Sequence, residues 1–386
     1  MLSDLPNTAQ RLLFLSCQLA PVQSKQEELV TLALAVENWK ELTEAARKER
    51  LAGLLYASLA RSGALNRIKP EQTKILKWEY ERTAAENLGR IREMIRIREK
   101  SRRAAIPFVL LKGMALLATT YRDIGLRKMD DMDLWVPPKE IGRFSELLES
   151  IGFLQDDLYP STFRRGRVVV DLHTDPLGAD RIRFRRFLLR TKASFLFKRA
   201  EPVSMMGSVF RCPTDFDQLV LLSAHALKHG LHRLVWMADI VNLVDRWESG
   251  DWNSFTKSCR KTGGERMVGS VLYAMEMLCE KKVFPTRTAG RLKNRQSLAD
   301  QRLLHIRKKK SSLPFWAAAW LMRPEGGLLQ SAGYLGETLF PRPVVLRQSF
   351  PGFFRLPAVI LYMLRILQMM AWTVPGIRIP PSGKES

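Results

Sequence analysis

The sequence predicts a mixed α/β chain of the α+β kind, a small sheet with flanking helices embedded in a largely helical polypeptide. Two observations carry this. Residues 1–104, and again those beyond Pro213, place apolar side chains three and four apart with charges between them, the period of amphipathic helices. Between these stretches, short β-rich runs alternate with turn signals and short helical segments, in the order strand, helix, strand, helix, strand.

Each element can be justified in turn. "LTEAARKERLAGLLYASLAR" and "KILKWEYERTAAENLGRIREMIRIREKSRR" are helical, and the arginine-rich end of the second is expected to be a solvated helix face. "IPFVLL", from Ile106, is a first strand, and Gly113 supplies a permissive backbone for the turn that follows. "MALLATTY" is a short helix and "MDLWV" a second strand. Pro137 and Pro138 open the helix "KEIGRFSELLESIG", since proline suits a first turn. "RVVVDLHT" is the clearest strand of the β-rich stretch beyond it. From Asp215 the helical period returns, broken or bent near Gly230, with further helices expected at 251–263 and 266–281. Residues 286–312, including "RKKK", are basic and linker-like. Four regions follow: helical 1–104, an α/β core at 105–212, a helical part at 213–285 that lines the core's cleft, and a basic linker with a C-terminal helical segment at 286–386.

The charge balance narrows the partners. Lys and Arg total 62 against 39 Asp and Glu, a formal net charge of +23. Such a field attracts polyanions: nucleotides, RNA or an anionic surface. The same balance also fits a merely solvated basic exterior. Cys17, Cys212, Cys259 and Cys279 are far apart with no CxxC pairing, which predicts reduced thiols and a cytoplasmic protein. "FFRLPAVILYMLRILQMMAWTV", from Phe353, is long and apolar but interrupted by Arg355, Pro357 and Arg365. It is expected to be a packed terminal helix, the alternative being a membrane-surface anchor, and no transmembrane segment is expected.

Against this basic background, "RKMDDMDLWV" concentrates Asp130, Asp131 and Asp133 at the entry of a strand. Side chains two apart in a strand share a face, so Asp131 and Asp133 point together while Met132 enters the core. Neighbouring carboxylates repel unless a cation lies between them, and hard oxygen ligands in a compact site suit Mg²⁺ or Mn²⁺. Asp171, in the strand "VVVDLHT", offers a third carboxylate, and three converging on adjacent strands could support two-metal phosphoryl chemistry. Aspartates also cap turns at strand starts, so the pair by itself leaves both uses open.

"LLKGMALLATTYRDIGLRKMDDMDLWV", "VDLH" and "SAHALKHGLHRLVWMADI" together resemble the bacterial family of uncharacterised nucleotidyltransferases, within the DNA polymerase beta-like nucleotidyltransferase superfamily. The resemblance covers roughly Ile106 to Lys281 and implies that 105–212 is a nucleotidyltransferase catalytic core. It implies that Asp131 and Asp133 hold the metals bridging a nucleoside triphosphate. It further implies that Asp171 binds the second metal and helps to deprotonate an acceptor hydroxyl. Gly113 would let the backbone approach the β- and γ-phosphates at a helix N-terminus. Lys112 and Arg127 are expected phosphate contacts, with an ion pair to an aspartate the other role open to Arg127. The superfamily usually carries serine after the glycine where this chain has Met114, and the narrower family usually has glycine where it has Asp130, so Asp130 is not counted as a ligand.

His225, His229 and His232 are spaced to share one helical face, but no HExxH arrangement accompanies them. His225 and His229 are therefore expected to line the cleft, His173 to orient Asp171 or meet a phosphate, and Asp239 to bond a histidine or Arg233. The expected activity is Mg²⁺-dependent transfer of a nucleoside monophosphate from an NTP to an acceptor hydroxyl: a small molecule, sugar or peptide, with RNA or a protein also open. Two alternatives stand beside it: a nucleotide-binding scaffold that has lost turnover, and a basic nucleic-acid or membrane-surface adaptor.

Overall fold

A computed structural model describes residues 5–19, 23–279, 320–323 and 327–373. The helical beginning comprises α1 (Asn7–Ser16), α2 (Gln23–Leu34), α3 (Trp39–Lys48), α4 (Ala52–Arg61) and the long α5 (Pro70–Arg103). Their starts follow local chemistry. Asn38 accepts the Glu41 amide at 3.0 Å at the head of α3, and Pro70 occupies the first turn of α5. The apolar stripe expected from the period is buried, with Leu42, Leu54, Leu55 and Leu76 fully enclosed. At the arginine-rich end of α5, Arg92, Arg102 and Arg103 are exposed, as a solvated face requires.

The sheet occupies the middle of the chain. Its strands are β1 (Val109–Leu110), β2 (Met132–Trp135), β3 (Leu154–Gln155), β4 (Thr162–Arg165) and β5 (Val168–His173), in the spatial order β1-β2-β5-β4-β3. β2 and β5 run parallel, and the other neighbours are antiparallel. The parallel pair at the centre forces a long crossover, which α7 (Ile141–Ser150) and the β3–β4 hairpin fill. All four residues of β2 are buried, so this strand is covered on both faces. The short α6 (Lys112–Thr119) follows β1 directly.

A second, two-stranded sheet, β6 (Glu201–Met205) with β7 (Ser208–Cys212), follows α8 (Ala193–Lys198). The helical part then runs through α9 (Asp215–Lys228), α10 (Leu234–Val244), α11 (Ser249–Thr262) and α12 (Glu265–Cys279). The break expected near Gly230 lies between α9 and α10, where Gly230 and Leu231 both take positive φ, 61° and 54°. One continuous hydrophobic core joins the N-terminal helices, the sheet and α9–α12. A bond across it is specific: Glu49, just past α3, accepts the Leu234 amide at 2.7 Å through Oε2 and so caps α10.

Beyond the core lie α13 (Leu328–Leu339), α14 (Pro343–Ser349) and α15 (Ala358–Thr373). The expected basic linker at 286–312 lies outside the described residues. The apolar C-terminal segment is helical as expected, but its packing is thin: Leu361 meets Leu346 and Phe350 in a small cluster separate from the main core. Among the described residues, no helix is long and apolar enough to cross a membrane.

Candidate active site

The site is a consequence of the β2–β5 register. Parallel pairing sets Asp133 directly beside Asp171 on the two central strands. Neighbouring strands lie about 4.8 Å apart, so the two carboxylates emerge side by side on one face. Asp131 stands just ahead of β2, two residues before Asp133, and completes the group. One carboxylate oxygen from each of the three lies within 4.8 Å of the others. Asp133 is buried, whereas Asp131 and Asp171 are half-buried, so the group opens toward solvent on one side only.

The neighbours hold the acids in place. Lys112 Nζ donates to Asp133 Oδ1 at 2.6 Å, and His173 Nε2 lies 2.7 Å from the same oxygen. His173 is two residues beyond Asp171 and therefore shares its face. Thr162, the antiparallel register partner of Asp171, donates its hydroxyl to Asp171 Oδ1 at 2.5 Å. Burial alone would raise the Asp133 carboxyl, but the Lys112 ammonium and then His173 outweigh it and hold it below the usual carboxylate range. For Lys112 the balance is reciprocal: burial opposes its charge, while Asp133 and Asp131 raise its pKa above the ordinary value.

The donor set is oxygen only, convergent and partly enclosed. That chemistry fits a divalent hard cation held by Asp131, Asp133 and Asp171. Among the described residues, this is the one group of acidic, histidine or cysteine side chains with metal-ligating proximity.

Several sequence expectations need correction. Arg127 commits its guanidinium to Asp239. Its guanidinium is buried and forks onto Asp239, Nε to Oδ1 at 3.0 Å and Nη2 to Oδ2 at 2.8 Å, while Nη1 donates to the Lys128 carbonyl at 2.6 Å. Tyr121 also donates to Asp239 Oδ1, at 2.9 Å. Asp239 is structural as expected, but its partners are Arg127 and Tyr121 rather than a histidine or Arg233. Burial disfavours the Arg127 charge, yet Asp239 more than offsets it.

Gly113 is also used differently. The residue with left-handed backbone is Lys112, at φ 48°. Gly113 is buried, and a Cβ there would fall 2.6 Å from Met129 Sδ and 2.8 Å from its Cγ. A larger residue here would have to displace the Met129 side chain. The helix α6 that starts here has no side-chain cap, which leaves its first amides without a side-chain acceptor.

Asp130 points away from the group and pairs with Arg50, with Arg233 4.0 Å away. His225 and His229 form a ring cluster with Trp236, each with its centroid 5.2 Å from the indole. α9 ends at Lys228, so His232 leaves the helical face that the spacing predicted. Burial, then the positive charge of Lys112 for His225 and of Lys228 for His229, pushes both imidazoles well below the ordinary histidine value and keeps them neutral.

Sequence reasoning missed a basic wall. The loop after β5 is turned by Asp175, which accepts the Leu177 and Ala179 amides at 2.8 and 3.3 Å, and it carries Arg181 and Arg185. Arg185 is buried, and its Nε has no hydrogen-bond partner. Burial, and then the positive charges of Arg185, Lys112 and Arg181, push the Lys228 ammonium well below the ordinary lysine value. The signal was present: "DRIRFRR" begins at Asp180, with six residues between it and the end of the strand bearing Asp171. Thr162 and Arg50 were missed too, because nothing local in sequence ties either to the site.

The comparison with known families is decisive at this point. The family described as "uncharacterised nucleotidyltransferase" matches residues 35–279. The chain belongs to that family. It is therefore a nucleotidyltransferase, and the matched span takes in helices α3–α5 as well as the sheet and α9–α12, a wider stretch than the sequence motifs alone covered. No curated protein matches the chain. Two solved structures are similar to part of it. A crystal structure of ANT(2")-Ia in complex with adenylyl-2"-tobramycin is 13% identical with a TM-score of 0.32, over 44% of this chain and 96% of that one. A solution structure of the antibiotic-resistance factor ANT(2'')-Ia is 15% identical with a TM-score of 0.31, over 43% and 89%.

Proposed function

We propose that this nucleotidyltransferase is a cytoplasmic, Mg²⁺- or Mn²⁺-dependent enzyme that transfers a nucleoside monophosphate from an NTP to an acceptor hydroxyl. The observation that carries the proposal is the convergence of Asp131, Asp133 and Asp171 within 4.8 Å across the parallel β2–β5 pair. In this reading the acceptor oxygen forms a bond to the α-phosphorus, the bond to the α–β bridging oxygen breaks, and pyrophosphate leaves. Asp171, oriented by Thr162, takes the acceptor proton. Asp131, Asp133 and Asp171 would hold the divalent ions, which supply charge neutralisation and in-line positioning at the phosphates.

The chain's own cations have distinct parts. Lys228, Arg181 and Arg185 receive the β- and γ-phosphates, and the uncapped start of α6 adds backbone amides on the same side. Lys112 and His173 keep Asp133 ionised and oriented rather than gripping substrate. Arg127, locked to Asp239, fixes the β2 approach to helix α10. The acceptor belongs to the hydroxyl-bearing class that spans small molecules, sugars and peptides.

A second reading has one observation in its favour. Met114 is fully buried where the superfamily places a phosphate-holding serine, which fits a nucleotide-binding protein without turnover. The test separates the two. The protein is incubated with each α-labelled NTP, Mg²⁺ or Mn²⁺ and cell lysate, alongside an Asp131→Ala/Asp133→Ala variant. A labelled product made by the wild type and lost in the variant is expected. Equal labelling by both proteins would sink the catalytic assignment, and NTP binding with no transfer under any condition would favour the second reading.

A further inference from the structure

Helix α15 is built inside out. Val359, Met363 and Leu367 are 70%, 62% and 56% exposed, and with Ile360 and Ile366, also exposed, they form one stripe at spacings of three and four. The polar side chains turn the other way. Gln368 is 1% exposed, and Arg365 directs Nη1 onto Gln368 Oε1 at 2.8 Å. A water-facing helix shows the reverse arrangement. The inner side rests on α14 through Leu361, Leu346 and Phe350, so the apolar stripe faces outward by construction.

Charge tells what kind of surface would cover it. Arg342 precedes α14, Arg347 lies within it, Arg355 lies just before α15 and Arg365 within it, and the one acidic residue between positions 327 and 373 is Glu337. Glu337 is buried and paired with Arg183 at 3.0 Å, so Arg355 stands exposed at the head of the stripe with no exposed acid on these helices. Immediately ahead of the helix, Phe353 and Phe354 are exposed, and Arg355 lies 5.5 Å over the Phe354 ring. An apolar stripe bordered by arginine and aromatic side chains matches the boundary between acyl chains and phosphate headgroups. A symmetric contact would set this patch against its own copy, arginine facing arginine with no exposed acid between them, and RNA offers nothing to an aliphatic stripe. One apolar face outward, with Arg365 and Gln368 on the other, fits a helix lying in the surface plane.

We propose that α15, together with the Phe353–Arg355 corner, docks this chain on the surface of an anionic lipid bilayer. The docking element is tied to the body of the protein. Tyr159 donates its hydroxyl to the Gln348 carbonyl at 3.1 Å, Gln348 Nε2 donates to the Leu158 carbonyl at 3.2 Å, and Arg342 bonds the Asp180 carbonyl beside the basic wall of the cleft. Docking would thus set the cleft at a defined height above the lipid.

The full chain is tested by sedimentation with vesicles of phosphatidylcholine alone and of phosphatidylcholine mixed with phosphatidylglycerol. Wild-type protein is expected to pellet with the mixed vesicles and to stay in solution with the neutral ones. A Val359→Gln/Met363→Gln/Leu367→Gln variant should bind at least about tenfold more weakly with an unchanged melting curve, because these side chains already face solvent. Arg355→Ala, a single exposed change that does not threaten folding, should weaken binding by about fivefold. Undiminished pelleting of both variants overturns the proposal, as does equal binding to neutral vesicles. So does a wild-type dimer in solution that the triple change dissociates, since the stripe would then be a protein interface.

Discussion

Aspartates on the two sides of strand β2 are treated in opposite ways. Asp239 is fully buried, with both oxygens engaged by the Arg127 fork and a third bond from Tyr121. Asp131, Asp133 and Asp171 instead aim their oxygens at one another and keep one side open. Arginine geometry accounts for the first case: its planar fork matches a carboxylate bidentately and saturates it. In the acidic group Lys112 and His173 meet one oxygen of Asp133 and Thr162 meets one of Asp171, and the convergent oxygens fit a divalent cation. The same residue type thus makes a rivet in one place and a seat in the other.

The comparison can be broken most directly at the rivet. Asp239→Ala should cost about 3–5 kcal/mol of stability, because it leaves a buried guanidinium without its partner. Urea unfolding measures this, and a loss below about 1 kcal/mol would mean that the fork is incidental. Asp131→Asn, by contrast, should leave the unfolding midpoint nearly unchanged or slightly raised, since it relieves repulsion in a half-buried group.

Gly113→Ala lies between the two regions and should cost about 1–3 kcal/mol, from overpacking against Met129. If the glycine serves phosphate approach instead, stability should hold while NTP affinity falls, a split that calorimetry can read. The smallest expected effect is at the basic wall. Lys228→Ala should weaken NTP binding by about tenfold, the worth of one charge-assisted bond formed once the negative phosphates favour the protonated amine, with folding intact. Equal affinity in titration calorimetry would remove Lys228 from the seat.

The legible part of the fold was the part with strong local periodicity. The helices of the first region, the α9–α10 break at Gly230 and the strands bearing Asp133 and Asp171 all followed from spacing and turn chemistry. β3 and the hairpin β6–β7 were not singled out. They are short, and Leu154, Phe163 and Val203 carry little period over so few residues. Within the site, the acids were legible because three carboxylates in a strongly basic chain stand out chemically. Arg127 was misassigned for the converse reason. An arginine near an aspartate pair is equally consistent with phosphate and with a partner, and its partner lies 112 residues away.

Sequence alone determined which residues could hold charge and which segments would be helix or strand, since both depend on side-chain chemistry and nearest-neighbour spacing. It separated Asp131 and Asp133 from Asp130, and it placed Asp171 on a strand. Tertiary structure decided the rest. The parallel β2–β5 register brought Asp133 beside Asp171, and packing turned Arg127 inward and Val359 outward. The physical reason is that electrostatic pairing and burial depend on distance in space, and a chain encodes that distance only once its core has closed.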